Sequence, residues 1–329
     1  MQANSLLQRL AGRSVLIVGD VMIDRYLTGQ VTRISPEAPV PVVLHQHSED
    51  RLGGAANVAL NIVALDSVAY LCSVAGDDED GRILRDVLLP QANINTEDLL
   101  LSASRRSTVK TRVLANNQQM LRIDKEDTQD LDASEAAQLL ERVRFRLDNS
   151  PIEVLILQDY NKGVLSEPVI EAIIAMAAER GVPVAVDPKK RNFLAFKGVT
   201  LFKPNLKEIR ESAPFSVKPE MESLEQAAAF LRSELGCSWV MITLSEKGLY
   251  LSDETGANIY PTAARKVADV SGAGDTVISI AALALAAGYH PELVALLSNL
   301  AGGQVCEFPG VVSVRKDILE RELLHALSH

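Results

Sequence analysis

The chain has 329 residues, 47% of them hydrophobic and 23% charged, with a formal net charge of −10. That length holds one large α/β domain or two smaller ones, and the acidic balance excludes a general nucleic-acid surface, so an anionic ligand must be met by a few local Lys or Arg side chains. Cys72, Cys237 and Cys306 are scattered in apolar surroundings without metal-site spacing, the segment Met1–Arg13 lacks the apolar core of a signal peptide, and no apolar run is long enough to cross a membrane, which makes a cytoplasmic protein with reduced cysteines the expectation.

From the N-terminus, Ser14–Gly19 is a short apolar run ending in glycine, the pattern of a buried strand. Asp20 and Asp24 follow its carboxyl end, where ligands bind in open α/β sheets. They serve either such a ligand or the chemistry of a turn. Tyr26–Glu49 differs in texture. Val31, Ile34, Val40, Val42, Val43 and Leu44 alternate imperfectly with polar residues, and Pro36, Pro39 and Pro41 confine the segment to a sheet edge or a bulge. Thr108–Asp124, with Thr108, Val109, Thr111 and Val113 and a polar turn at Asn116-Asn117, reads as a second ribbon. The two ribbons, about 26–49 and 107–124, are expected to form a small sheet that covers a ligand, with an apolar face that favours a partner. Gly53-Gly54 is expected to open a helix through Leu65, with Arg51 just before it and Asn57 one turn in. The glycines either bring backbone amides close to a ligand or serve tight packing, and Asn57 carries both donors and acceptors. Val68–Val74 reads as a strand. The acidic run Asp77-Asp78-Glu79-Asp80 reads as the solvated start of a helix over Gly81–Leu89, in preference to a metal site.

Ala133–Leu147 is an amphipathic helix and Glu153–Leu157 a strand, followed by Asp159-Tyr160-Asn161-Lys162-Gly163, where Lys162 is placed to meet a phosphate. Pro168–Arg180 reads as a helix and Val182–Val186 as a strand. The sequence Asp187-Pro188-Lys189-Lys190-Arg191 then carries the densest positive charge of the chain, either an anion site or a solvated run. The alternation of strands and helices predicts a parallel sheet with right-handed crossovers. Thr200–Lys203 is a strand leading into Pro204-Asn205-Leu206-Lys207-Glu208, which places Asn205 and Glu208 on one side of a first helical turn. Its plain reading is a helix cap. Ser238–Thr243 is a strand, Leu244–Gly248 a turn, Leu249–Leu251 with Asn258–Pro261 a hairpin, and Arg315–Leu327 an amphipathic helix. Without repeats or linkers, the expectation is one main domain over residues 1–329.

The chemistry concentrates in Asp269-Val270-Ser271-Gly272-Ala273-Gly274-Asp275. The apolar run Thr276–Ala287 behind it reads as a buried helix capped by Gly288. Two glycines allow close approach of a ligand, and the helix start offers free N–H groups and a positive dipole end, together a site for a phosphate. A carboxylate at Asp275 would repel that phosphate unless it takes a proton from an attacking hydroxyl. A plain loop-to-helix junction is the simpler alternative. A dinucleotide fingerprint is not met, because Val277 stands where the third glycine belongs, and no P-loop sequence is present.

Asp269-x-x-Gly272-Ala273-Gly274-Asp275 resembles the C-terminal signature of the ribokinase-type (PfkB) carbohydrate kinases. Gly53-Gly54-Ala55-Ala56-Asn57 resembles the sugar-binding signature of that family, and Asn205-Leu206-Lys207-Glu208 its Asn-x-x-Glu motif, in matching order and over nearly the whole chain. The resemblance implies a three-layer α/β sandwich with a mainly parallel central sheet and a small β-sheet lid that often pairs two subunits into a homodimer. It implies ATP and Mg²⁺, with a monovalent cation in some relatives. Asp275 is then the base, and the amides of Gly272, Ala273 and Gly274 receive charge on the transferring group. Asp20, Asp24, Arg51, Gly53, Gly54 and Asn57 lie against the sugar. Asn205, Thr243, Ser245, Gly248, Gly272, Gly274, Asn299 and Gly303, with Gly302, lie near the nucleotide, and Glu208 organises Mg²⁺ through its water shell.

Longer stretches resemble one branch of the family: Gly19–Tyr26, Arg33–Val42 with its Ser-Pro-Glu-Ala-Pro-Val-Pro run, Asn117-Gln118-Gln119 and Asp269–Thr276. That branch phosphorylates D-glycero-β-D-manno-heptose 7-phosphate at its anomeric oxygen for ADP-heptose and lipopolysaccharide core synthesis. A substrate that already bears a phosphate suits the basic candidates Lys162, Lys189 and Arg106. In many members of the branch a nucleotidyltransferase domain follows, and this chain reads as a stand-alone kinase or an excised domain. The alternatives are another kinase of the family, for ribose, fructose phosphate or a nucleoside, or a non-catalytic sugar-binding relative. Asp275 with Asn205 and Glu208 argues against the last, since a pure binder needs neither base nor metal residues.

Overall fold

The computed structural model describes residues 3–116, 118–263 and 265–328. Asn117, of the expected turn, lies outside them. Helix α1 (Ala3–Leu10) precedes β1 (Ser14–Gly19), which is buried at all six positions, as an unbroken apolar strand is when both its faces are covered. Asp20 alone separates it from β2 (Val21–Ile34), which pairs antiparallel with β3 (Pro41–Gly54). There follow α2 (Ala55–Val63), β4 (Val68–Gly76), α3 (Glu79–Leu88), the short β5 (Ile94–Asn95) and β6 (Leu99–Ser102), and then β7 (Val109–Ala115) and β8 (Gln118–Lys125). The chain continues through α4 (Ala133–Asn149), β9 (Val154–Gln158), α5 (Glu167–Glu179), β10 (Val184–Asp187), β11 (Leu201–Phe202), α6 (Leu206–Ser212), α7 (Met221–Leu235) and β12 (Trp239–Thr243). The hairpin β13 (Leu249–Ser252) and β14 (Ala257–Tyr260) leads to α8 (Ala273–Ala286), α9 (Pro291–Val305) and α10 (Lys316–Leu327).

The central sheet runs β14-β13-β12-β11-β10-β9-β1-β4-β5, with β6 also on β4. Every pairing from β12 to β5 is parallel, and only the hairpin at the far edge is antiparallel. Side chains alternate between the faces of a strand. Val15 and Ile17 of β1 accordingly join a core with α2, α8 and α9, while Leu16 and Val18 join a second core with α4, α5 and α7. Helices on both faces of one sheet make three layers.

A second sheet runs β3-β2-β7-β8, with β2 and β7 parallel. Its strands reach further toward the main body than the texture of the sequence indicates. β2 begins at Val21 and β3 ends at Gly54, opposite Val21 in register. Gly53 and Gly54 therefore close a strand, with Gly54 the N-cap of α2, instead of forming the first turn of that helix. Ile34, Leu44, Leu121 and Ile123 of this sheet are each more than half exposed. The acidic run does start α3, and Asp77 and Glu79 are exposed, but the other two acids are engaged within the protein. Asp78 caps the helix by accepting from the Gly81 amide at 2.8 Å, and buried Asp80 pairs with Arg25 at 3.0 Å and Lys125 at 2.7 Å, both on the small sheet. Partners so distant in sequence could not be read from the run itself. Among the described residues, no group of three His, Cys, Asp or Glu side chains is placed to hold a metal, and no helix is long and apolar enough to cross a membrane.

Candidate active site

The N-terminus of α8 abuts the carboxyl ends of the central strands. Gly272, its N-cap, has φ 80°, and a Cβ there would lie 2.9 Å from Asn57 Nδ2 and 3.2 Å from Val311 Cγ1. Conformation and space both require glycine. One turn on, Asp275 is 2% exposed. Three donors converge on it: Asn57 Nδ2 reaches Oδ2 at 2.8 Å, while the Tyr160 hydroxyl at 2.7 Å and Gln158 Nε2 at 3.0 Å reach Oδ1. Burial pushes its pKa up to about 7. The hydrogen bonds from Asn57 and Tyr160 and the Lys189 charge oppose that rise, and the Asp187 charge reinforces it.

Adjacent parallel strands supply the surroundings. Gln158 ends β9 and Asp187 ends β10, opposite each other in register, and Lys203 follows β11. Gln158 Nε2 bridges Asp275 and Asp187, the latter at 3.3 Å, and the buried Lys203 ammonium pairs with Asp187 at 3.1 Å. A Cβ on Gly274 would lie 3.6 Å from Asp187 Oδ2 and 3.8 Å from Lys203 Nζ, so this pair packs directly under the glycine loop. The strand-end position is that of ligand sites in open α/β sheets.

Of the residues expected beside the sugar, Asn57 is spent on Asp275, so it orients that carboxylate. Asp20 is 1% exposed, and its two oxygens accept from the amides of Tyr160, Lys162 and Val164 at 2.7, 3.0 and 3.1 Å. It anchors the loop that carries Tyr160, and burial still raises its pKa. Asp24 pairs with Arg112 of β7. Gly53 is small because a Cβ there would lie 2.3 Å from Asp24 Oδ2. Arg51 donates to the carbonyls of Pro309 at 2.9 Å and Val311 at 3.2 Å, and with Arg112 it flanks the Tyr26 ring. Among the basic candidates, Lys162 pairs with Glu126 at 2.8 Å, Lys189 with Glu208, and exposed Arg106 with Asp127 at 2.6 Å.

The residues expected near a nucleotide lie along one flank. Asn205 and Glu208 form a reciprocal capping box, the Glu208 amide donating to Asn205 Oδ1 at 2.9 Å and the Asn205 amide to Glu208 Oε2 at 2.8 Å. The Thr243 backbone bridges to Asn205. Ser245 and Gly248 both have positive φ in the turn after β12, and a Cβ on Gly248 would lie 2.0 Å from the Tyr260 carbonyl, so that glycine answers a close crossing of the hairpin. Asn299 donates to the Pro261 carbonyl at 2.9 Å. Gly302 makes room for Val277 and Gly303 for the Arg265 guanidinium. Sequence reasoning did not single out Gln158, Tyr160, Asp187, Lys203 or Arg112. A polar residue ending or directly following an apolar strand, the signal that marked Asp20, marks Gln158, Asp187 and Lys203 as well.

The description "pfkB family carbohydrate kinase" matches residues 13–317. The chain is 39% identical over 322 residues to the bifunctional protein HldE of Syntrophotalea carbinolica, covering 98% of this chain and 65% of that protein. It is 42% identical over 316 residues to the bifunctional protein HldE of Koribacter versatilis, covering 96% of this chain and 63% of that one. The chain thus spans less than two thirds of the length of these relatives. Among solved structures, the tetrameric inhibited form of phosphofructokinase-2 from Escherichia coli superposes with a TM-score of 0.76 at 20% identity, over 97% of this chain and 100% of that one. Arabidopsis thaliana ribokinase, complexed with ribose and ATP, does so with a TM-score of 0.73 at 19% identity, over 95% and 99%. The fold is ribokinase-like, and the chain belongs to the pfkB family of carbohydrate kinases, phosphotransferases with an alcohol group as acceptor.

Proposed function

We propose that the chain transfers the γ-phosphoryl group of ATP to the anomeric hydroxyl of D-glycero-β-D-manno-heptose 7-phosphate, giving the 1,7-bisphosphate. The observation that carries the reaction type is Asp275, a buried carboxylate at a helix N-terminus with a pKa near 7, suited to take a proton at neutral pH. The sugar is supported by the branch resemblance at Gly19–Tyr26 and Arg33–Val42 and by the 39% to 42% identity to the two HldE proteins.

The acceptor oxygen attacks the γ-phosphorus, its proton passes to Asp275, and the bond to the β-phosphate oxygen breaks to release ADP. The amides of Gly272, Ala273 and Gly274 receive the charge of the transferring group, and Lys203 beneath them adds a buried cation. Removing one such donor elsewhere lowers turnover by about 10²–10³-fold. Asp24 and Arg112, reached past Gly53 and Gly54, face the sugar hydroxyls. The donor set fits Mg²⁺ carried by the nucleotide phosphates, because that ion keeps most of its waters and needs few protein carboxylates; Glu208, 7% exposed with one oxygen on Lys189, is the carboxylate that would meet its water shell. When bound, Mg²⁺ neutralises charge on the phosphates. Thr243, Ser245, Asn299 and Gly303 would border the adenosine. The exposed apolar residues of the small sheet would pair two copies into a homodimer, which sedimentation of the chain tests.

ATP consumption is the deciding measurement, with and without Mg²⁺ and with potassium or sodium as the monovalent cation. The acceptors are the heptose 7-phosphate, sedoheptulose 7-phosphate, fructose 6-phosphate and ribose. Turnover confined to the heptose phosphate is expected. Turnover of another sugar would keep the mechanism and discard the substrate, and none at all would favour a binding role. Gly53→Ala is expected to raise KM for the acceptor about tenfold, the size of a modest overpacking term, because its Cβ would displace Asp24. An unchanged KM would remove Asp24 from the sugar side.

A further inference from the structure

Lys110 lies on β7, half-buried, opposite Asp24 on one neighbouring strand and Asp124 on the other. Each carboxylate around it already faces another cation. Arg112 holds Asp24, Arg122 holds Asp124 at 2.9 and 3.0 Å, and Lys162 holds Glu126 at 2.8 Å. Among the described residues, the Lys110 ammonium has no hydrogen bond or ion pair, and its near contact is the Tyr160 ring, 5.9 Å to the centroid. Burial lowers its pKa and the neighbouring Lys162 charge lowers it further, while the charges of Asp124, Glu126 and Asp24 oppose that fall without cancelling it. A partly desolvated ammonium whose neighbouring carboxylates pair directly with other cations is under-compensated, and an anion brought by a ligand relieves that.

The position says which anion. The Tyr160 hydroxyl touches Asp275 at 2.7 Å, so one tyrosine side chain separates Lys110 from the carboxylate at which the acceptor hydroxyl reacts. A sugar chain with a phosphate at its far end bridges a comparable span. Lys189 approaches the same ring at 5.2 Å, but it is committed to Glu208 on the nucleotide flank. Arg106 is 59% exposed and paired with Asp127. Lys162 keeps a carboxylate of its own. We propose that Lys110 receives the phosphate already present on the acceptor and thereby sets the preference for a phosphorylated over an unphosphorylated sugar. This deepens the reading of the acceptor as a sugar phosphate and rests on it. A lysine suits the role as a compact point charge with three donors.

The test is steady-state kinetics of the full chain at saturating ATP, with wild type, Lys110→Gln and Lys110→Arg. Each is assayed with the heptose 7-phosphate and with the same heptose lacking the phosphate. Lys110→Gln is expected to raise KM for the phosphorylated sugar about 10- to 100-fold, as loss of a hydrogen bond to a charged group does. Its kcat, its KM for ATP and its KM for the unphosphorylated sugar stay within a few-fold of wild type, and Lys110→Arg recovers most of the affinity. An unchanged KM, or an equal rise for both sugars, would overturn the assignment, the second by marking a purely structural effect. If wild type uses fructose 6-phosphate or sedoheptulose 7-phosphate instead, the heptose reading fails and the same variants decide Lys110 with that sugar. A wild type that prefers unphosphorylated sugars overturns the Lys110 assignment outright.

Discussion

Asp275→Asn is expected to lower kcat by at least about 10²-fold while leaving sugar affinity within a few-fold. The substitution keeps the size of the side chain. Its carbonyl oxygen takes the place of Oδ1 and still accepts from Tyr160 and Gln158. Its amide then faces Asn57, whose own carboxamide can turn to present an oxygen. What is lost is the ability to accept a proton. The pH profile separates this from general damage. Burial lifts the Asp275 carboxyl to about 7, so the competent ionised form is dominant above that pH and declines below it. Wild-type kcat should therefore fall toward tenfold per unit as pH drops below about 7, and the residual rate of Asp275→Asn should lack that limb. Near-normal turnover, or the same acid limb in the variant, would remove Asp275 from the role of base.

The strands of the main body were legible because parallel strands covered on both faces are written as short, unbroken apolar runs. Ser14–Gly19 is one of these, and it is buried throughout. The glycine loop before α8 was legible for a different reason: two glycines followed by a long apolar run mark a loop that opens a buried helix. The small sheet was harder. β2 and β3 extend to Val21 and Gly54, but their inner ends carry Asp24, Arg51 and Gly53, which spoil the alternation that marks a strand. The surroundings of Asp275 were least legible. Asn57, Gln158 and Tyr160 lie 218, 117 and 115 residues from it along the chain, and only the packing of α8 against α2 and the end of β9 brings them to one point. Pairing also decided the fate of charges. In the run Asp77–Asp80, Asp77 and Glu79 are exposed as the sequence suggests, but Asp78 and Asp80 anchor the small sheet through Arg25 and Lys125. Asp20, which the sequence marks only as an acid beyond a strand end, accepts from three backbone amides. A sequence lists charges one by one, whereas the number of charges left over, on which ligand binding depends, is a property of the assembled pairs.

Lys203→Met is expected to destabilise the fold by about 3–5 kcal/mol, the usual effect of removing one partner of a buried ion pair. The side chains of Lys203 and Asp187 are 2% and 5% exposed, so water cannot replace the lost ammonium. Among the described residues, Asp187 would keep the 3.3 Å hydrogen bond from Gln158 Nε2 and the more distant charge of Lys189. Apolar replacement of both partners is tolerated far better than loss of one, so Lys203→Met combined with Asp187→Leu should regain part of the loss. Denaturant unfolding of the single and double variants measures this. A single variant within about 1 kcal/mol of wild type would mean that the pair is already open to solvent. The same substitution should also be read at Asp275. The Asp187 charge already raises the Asp275 pKa, and without Lys203 that charge is less balanced, so the acid limb of kcat should move to higher pH in Lys203→Met. It should move back once Asp187 is also removed. A limb that stays in place while stability falls would confine Lys203 to holding the strand ends together. A limb that moves with Asp187 would make the row Gln158, Asp187 and Lys203 the device that tunes the base.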